Sequence, residues 1–242
     1  MADKIPETMK AWAFSRRGKA QNVLELKSLP VPAELKPNEV LIKVSHVGLN
    51  PFGYIMVWVV PAMLRHKPAV PEFDFSGRIV KLGRDAGASL KIDEDVLGVL
   101  KPGDGVKLGR GSLAEYLVAD KDLVLRKPED MSLETAGGVG ITFLTAAALL
   151  QKANLSPGDH VFVNGGSGGT GMALIPWVKE IVGEHGKVVT TCSPQTLELV
   201  KSFGADEVCN VFDRGQATPC LSRLTLYNSR PSTTGQWIFP TT

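Results

Sequence analysis

The sequence predicts an α/β protein in which an all-β unit comes first and a β-α-β-α-β unit follows. Three observations carry that expectation. Short stretches rich in β-branched and apolar residues, separated by Pro, Gly and charged turns, recur from Met9 to about Leu125. A glycine-dense turn, Gly165 to Gly171, lies between a short apolar run and a helical apolar pattern. Two further strand-like runs, with a helical segment between them, complete the second unit.

Met9 to Phe14, Val23 to Leu29, Glu39 to Val47, Gly77 to Leu82, Asp95 to Leu100 and Ser112 to Val118 each fit a strand. Gly103, Gly105, Gly109 and Gly111 fall in a connecting loop where no helical pattern opens, so they read as turn formers and not as a phosphate cradle. Ser132 caps a short helix with Glu134 and Thr135 in its first turn, and a longer apolar helix from about Val139 to Lys152 follows.

Ser156-Pro157-Gly158-Asp159 turns the chain into Val161 to Val163, a run whose shortness and β-branched or aromatic residues suit a buried parallel strand. Gly165, Gly166, Ser167, Gly168, Gly169, Thr170 and Gly171 come next. Gly166, Gly168 and Gly171 keep the Gly-x-Gly-x-x-Gly spacing, in which missing side chains permit a tight turn, backbone approach to a pyrophosphate and close packing of the next helix. That helix, Gly169 to Val182, has an apolar face of Met172, Ala173, Ile175, Val178, Ile181 and Val182, and its N-terminal N–H groups point at the phosphates. Pro176 in its middle removes one hydrogen bond and costs on the order of 3 kcal/mol unless a kink absorbs it, leaving the first turn intact. Lys187 to Thr191, a helix from Pro194 to Phe203 started by Ser193-Pro194 and ended by Gly204, and Glu207 to Val211 finish the pattern. The ligand this context predicts is a dinucleotide.

Composition narrows the classes. A net charge of +2, with Lys and Arg scattered, gives no electrostatic footprint for nucleic acid. Ile55 to Leu64 is far shorter than the roughly 20 apolar residues that span a bilayer, so no membrane is expected. The polar, acid-bearing Met1 to Thr8 argues against export and transit signals, and Cys192, Cys209 and Cys220 are too few and too spread for a disulfide framework; both point to the cytoplasm.

Met9-Lys10-Ala11, Val23-Leu24-Glu25-Leu26, Pro37-Asn38-Glu39-Val40-Leu41-Ile42-Lys43-Val44, Gly48-Leu49-Asn50-Pro51 and Gly111-Ser112-Leu113-Ala114-Glu115-Tyr116 resemble the medium-chain dehydrogenase/reductase superfamily. The likeness continues through Ser156-Pro157-Gly158-Asp159 and the glycine turn to Leu199-Val200-Lys201-Ser202-Phe203-Gly204-Ala205-Asp206. It implies a GroES-like β domain over residues 1–128 and the first half of a Rossmann domain over 129–213, with an active site in the cleft between domains. Zinc members carry a cysteine where this chain has Asn50 and a His-Glu pair where it has Phe73-Asp74. Asn and Phe supply no strong zinc ligand, and the four-cysteine structural site has no counterpart, so no metal is expected. His46, His66, His160 and His185 stand on different elements without ligand-like spacing and read as ordinary surface or core histidines.

The resemblance thus implies a zinc-independent quinone or enoyl reductase, which delivers hydride to a small, apolar, electron-poor acceptor whose developing enolate oxygen needs hydrogen-bond donors. It points to Asn50 near the nicotinamide ribose and substrate, and to Tyr54 as a donor to the acceptor. Asn50-Pro51 is equally a turn or helix-start signal and Tyr54 equally a packed side chain. Gly53 stands where many relatives have an acid. Ile55 to Leu64 suits either an apolar cleft wall or a core segment. Thr145 matches a position near the cofactor, though helical threonines also simply bond back to the preceding turn.

Thr190-Thr191-Cys192-Ser193 offers no acid for a ribose 2′-hydroxyl, so NADP is favoured over NAD, with Ser193, Thr196 and Lys201 as donors to a 2′-phosphate. Residues 214–242 contain no acid and no clear periodicity, and read as an irregular tail. Relatives continue for roughly another hundred residues and complete the sheet there. The tail is therefore expected to be a substitute ending, from splicing or a gene-model error. That leaves a truncated, non-catalytic nucleotide binder as the alternative, and a homodimer through the usual sheet edge is not assumed.

Overall fold

The computed structural model describes residues 4–210. The chain forms two compact units that divide between Ile141 and Thr142.

In the N-terminal unit, β1 (Thr8–Ala13) pairs antiparallel with β2 (Glu25–Pro30), and the one-turn helix α1 (Ala20–Val23) stands between them. A five-stranded antiparallel sheet holds the core, in the order β6-β3-β4-β5-β7. Its strands are β3 (Glu39–His46), β4 (Asp74–Leu82), β5 (Asp95–Val99), β6 (Tyr116–Asp120) and β7 (Val124–Arg126). The strand period of two explains why Val40, Leu41 and Ile42 are all buried. Val40 and Ile42 pack with Phe75, Ile79 and Leu117, while Leu41 turns to the other face against Met9, Tyr116 and Val118.

Four helices connect or follow these strands: α2 (Pro51–Val59), α3 (Pro102–Lys107), α4 (Leu133–Gly138) and α5 (Gly140–Ala153). The Ser132 hydroxyl accepts the Thr135 N–H at 3.1 Å and caps α4, as its sequence predicts. Because α4 packs on β3, β4 and β5, the expected domain boundary after residue 128 falls inside this unit.

The C-terminal unit is a parallel β-α-β-α-β arrangement. Its strands β8 (His160–Val163), β9 (Lys187–Cys192) and β10 (Glu207–Asn210) lie in the order β10-β9-β8, and α6 (Gly169–Val182) and α7 (Leu197–Ser202) connect them. Ile175, Val178 and Val182 of α6 pack with Val163, Val188 and Val200; Met172 and Ile181, assigned to the same face from sequence, remain more than a third exposed. Pro176 sits inside α6 and the helix continues through it. Lys179 of α6 pairs with Asp206 at 2.8 Å, and Asp206 also accepts the Val188 N–H at 2.7 Å.

Four local expectations are corrected. Val23 ends α1 and the strand starts at Glu25, because the Leu24 N–H closes a helical turn onto the Ala20 carbonyl. Gly103 and Gly105 lie in α3, where Pro102 at the first position and Asp104 in the first turn support a helix too short for the glycines to break. Ser112 to Glu115 precede β6 as turn and bridge residues. The helix from Pro194 splits into a 3₁₀ turn, Pro194–Thr196, and α7, since Thr196 leaves helical geometry at φ −111°, ψ 9°. Val211, Cys220 and the irregular tail lie outside the described residues.

Candidate functional site

Two places in the molecule combine concavity with polar groups, one in each unit. In the N-terminal unit the site forms where β3 leaves the sheet and α2 begins. Pro51 opens α2, and Asn50 before it has extended backbone and leaves the helix uncapped by its side chain. That side chain is engaged elsewhere: Nδ2 donates to Asp74 Oδ2 at 3.0 Å, and the Asn50 backbone N–H donates to Glu72 Oε2 at 3.0 Å. Asp74 Oδ1 in turn accepts the Ile141 N–H at 2.8 Å. One residue, through its backbone N–H and its side-chain amide, thus bridges two acids at the start of β4.

Both acids are buried, Asp74 at 0% exposure and Glu72 at 6%. Burial pushes the Glu72 carboxyl above the ordinary carboxylate range against the Asn50 hydrogen bond, and the Asp74 charge adds to the rise. Burial raises Asp74 too, against hydrogen bonds from Asn50 and Ile141. Glu72 adopts φ +68°, the left-handed region that favours glycine. Gly53 makes room for it, since a Cβ there would lie 2.3 Å from Glu72 Oε2 and 2.4 Å from Oε1.

A cavity of about 710 Å³ opens beside this cluster, lined by Trp12, Leu24, Asn50, Tyr54, Val57, Glu72 and Leu113 among others. Asn50 and Tyr54 therefore share one wall. Ile55 to Leu64 is neither core nor a continuous wall. Gly53 and Val57, one turn apart, form the buried face of α2, whereas Ile55, Trp58, Val59, Met63 and Leu64 are exposed. Glu72 and Asp74 were not identified as site residues from sequence; their signal was an acid beside the Phe73-Asp74 pair, which sequence alone could not place against Asn50.

In the C-terminal unit the glycine turn runs from β8 into α6. Gly165 has φ +74°. A Cβ at Gly171 would meet the Gly165 carbonyl oxygen at 2.3 Å, and one at Gly166 would meet Thr190 Oγ1 at 2.3 Å, so the turn closes only without side chains. Gly168 begins α6 and no side chain caps it, which leaves the first-turn N–H groups of Gly169, Thr170 and Gly171 for a ligand. Thr191 holds the turn from β9: its hydroxyl accepts the Gly165 N–H and donates to Asn164 Oδ1, each at 2.8 Å, and its carbonyl accepts the Gly166 N–H at 2.8 Å. Sequence reasoning treated Thr191 only as a missing acid.

Ser193 and Thr196 come together just beyond β9, their hydroxyls 3.2 Å apart. Lys201 lies further along, on α7, with its ammonium 3.4 Å from Glu198. Thr145 is exposed on α5. Among the described residues no three His, Cys, Asp or Glu side chains gather as a metal site, and no helix is long and apolar enough to cross a membrane.

Residues 36–129 match the alcohol dehydrogenase GroES-like domain. The chain is 37% identical over 205 residues to 2-methylene-furan-3-one reductase of Solanum lycopersicum, covering 84% of this chain and 52% of that protein. It is 36% identical over 210 residues to the chloroplastic NADPH-dependent alkenal/one oxidoreductase of Arabidopsis thaliana, with the same two shares. The structure of the quinone oxidoreductase from Coxiella burnetii superposes with a TM-score of 0.73 at 28% identity, over 87% of this chain and 65% of that one. The chain belongs to the medium-chain dehydrogenase/reductase superfamily.

The mixed α/β architecture, a GroES-like unit followed by parallel Rossmann-like strands, is that of the superfamily's quinone oxidoreductases. This superfamily member spans about half the length of the two curated relatives, 52% of each. Its Asn50, in the place of a zinc ligand in other members, is occupied by hydrogen bonds to two carboxyl groups. Its Gly53 is explained sterically: a Cβ there would meet the carboxyl of Glu72.

Proposed function

We propose that this protein is a zinc-independent, NADPH-dependent reductase of small, apolar, electron-poor acceptors, either activated alkenes or quinones. The observation that carries this reading is the cavity beside Asn50: largely apolar, yet with Tyr54 and Glu72 in its wall. The names of the relatives, an alkenal/one oxidoreductase and a furanone reductase, support the substrate class.

The glycine turn fits a dinucleotide, because Gly166 and Gly171 admit no Cβ and the uncapped start of α6 presents backbone donors to a pyrophosphate. Ser193 and Thr196 would hold a ribose 2′-phosphate, since β9 ends in Thr191 and Cys192 without a carboxylate that would repel it. When bound, the cofactor supplies hydride. Tyr54 would donate to the acceptor oxygen as negative charge grows there, and Asn50, fixed by Asp74, orients the entrance of α2 beneath it. Asn50 and Phe73 offer zinc no strong ligand, so polarisation of the acceptor falls to hydrogen bonds.

Thermal-shift titration with NADPH and NADH, followed by NADPH oxidation in the presence of a panel of enones, enals and quinones, tests the reading. A larger shift with NADPH and turnover with at least one acceptor is expected. Absence of a shift with either nucleotide would overturn it.

A further inference from the structure

Glu72 is held where backbone chemistry disfavours it. Non-glycine residues rarely adopt φ +68°, and such conformations persist where the surroundings over-determine them, often at functional sites. Here the Glu72 carbonyl accepts the Ser112 N–H at 3.0 Å, its Oε2 accepts the Asn50 N–H at 3.0 Å, and Gly53 leaves the space the carboxyl fills. The outcome of these constraints is an acid in the wall of the cavity that contains Tyr54. The second oxygen, Oε1, accepts no hydrogen bond among the described residues, yet it is not among the sealed, unpartnered polar atoms. It is thus not sealed, and it belongs to a residue that lines the cavity.

We propose that Glu72 is the proton donor of this cavity, delivering a proton from Oε1 to the α-carbon of the reduced alkene, an inference that rests on the reductase reading above. The cofactor, when bound, would supply the hydride for the new C–H bond at the β-carbon, and the alkene π pair would move toward the carbonyl as an enolate. The enolate pair then forms the α-carbon C–H bond as the Glu72 O–H bond breaks. The acceptor gains an electron pair, the nicotinamide loses one, and the Glu72 carboxylate regains its proton from water. Asp74 is the charge that acts on Glu72, and Tyr54 is the other titratable side chain in the cavity wall. Burial and the Asp74 charge both keep the proton on Glu72 to higher pH than an exposed glutamate would hold it.

The first test needs no cofactor. Cyclohexanone, a carbonyl compound with no alkene to reduce, is titrated into the full chain from mildly acidic to mildly alkaline pH, with quenching of the cavity's Trp12 as the readout. Wild-type affinity should rise about tenfold on acidification as the acid beside the apolar ligand becomes neutral. Glu72→Gln, whose amide is neutral at every pH, should bind with no pH dependence. Glu72→Gly, which relaxes the left-handed backbone and guards against a misfolded Gln variant, should lose the pH dependence too. Wild-type binding that ignores pH, or a Glu72→Gln variant that keeps the pH dependence, overturns the proposal whatever the turnover.

In NADPH oxidation with an enone, Glu72→Gln should lose on the order of a hundredfold in kcat while KM stays within a few fold. If kcat is unchanged, Glu72 is not the donor. If wild type binds cyclohexanone in a pH-dependent way but oxidises no NADPH with any acceptor, the reductase reading falls and takes the transfer step with it, while the cavity proton stands.

Discussion

The two candidate sites meet polar ligands by opposite means. The glycine turn of the C-terminal unit presents backbone N–H groups and excludes side chains, so its donors are fixed whatever the pH. The cavity of the N-terminal unit relies on side chains, two buried acids joined through Asn50, whose protonation varies. The difference teaches where each site is vulnerable. A backbone site fails when any atom is added, and a side-chain site fails when a partner is removed.

Gly171→Val should break the contrast most visibly. Its Cβ would lie 2.3 Å from the Gly165 carbonyl oxygen, and the C-terminal unit should lose about 3 kcal/mol in urea unfolding along with any NADPH-induced thermal shift. Retention of both would show that the turn does not depend on close backbone approach. Asp74→Ala removes the acceptor for the Asn50 amide and the Ile141 N–H, and should cost the N-terminal unit about 2 kcal/mol by the same measurement.

The pH dependence sharpens the comparison. Glu72 and Asp74 have raised folded values, so above the ordinary carboxylate range the folded chain binds more protons than the unfolded one. Their contribution is fully present at low pH and is lost as pH rises toward the raised values. Unfolding of Glu72→Gln followed against pH should therefore show the variant gaining on wild type across that window. A constant difference would show that Glu72 titrates alike in both states. The smallest effect is expected at Thr191. Thr191→Val deprives the Gly165 N–H of its acceptor and should cost about 1 kcal/mol, with weaker NADPH binding seen as a reduced thermal shift.

The sequence was most legible where a residue type has no substitute. Only glycine closes the turn at positions 166 and 171, and the strand and helix on either side follow from apolar period, so the parallel unit emerged with its order intact. The β unit was legible as strands but not as a site. Nothing in local pattern tells that Asn50, at the end of β3, meets Glu72 and Asp74, because that contact depends on the register of β3 against β4, where His46 faces Ser76. Short helices were also hidden. α1 and α3 are each shorter than two turns, below the length at which a helical period can be counted. Tyr54 and Val57 could be assigned to one helix from Asn50-Pro51, yet which of the neighbouring apolar residues would stay exposed was decided by the single face α2 buries.

The shared space of Gly53 and Glu72 couples the two positions. A side chain at position 53 would start within 2.4 Å of both carboxyl oxygens of Glu72, so the Glu72 carboxyl would have to swing out of its present place and release the Asn50 N–H. A filled position 53 and the present placement of the Glu72 carboxyl are therefore alternatives.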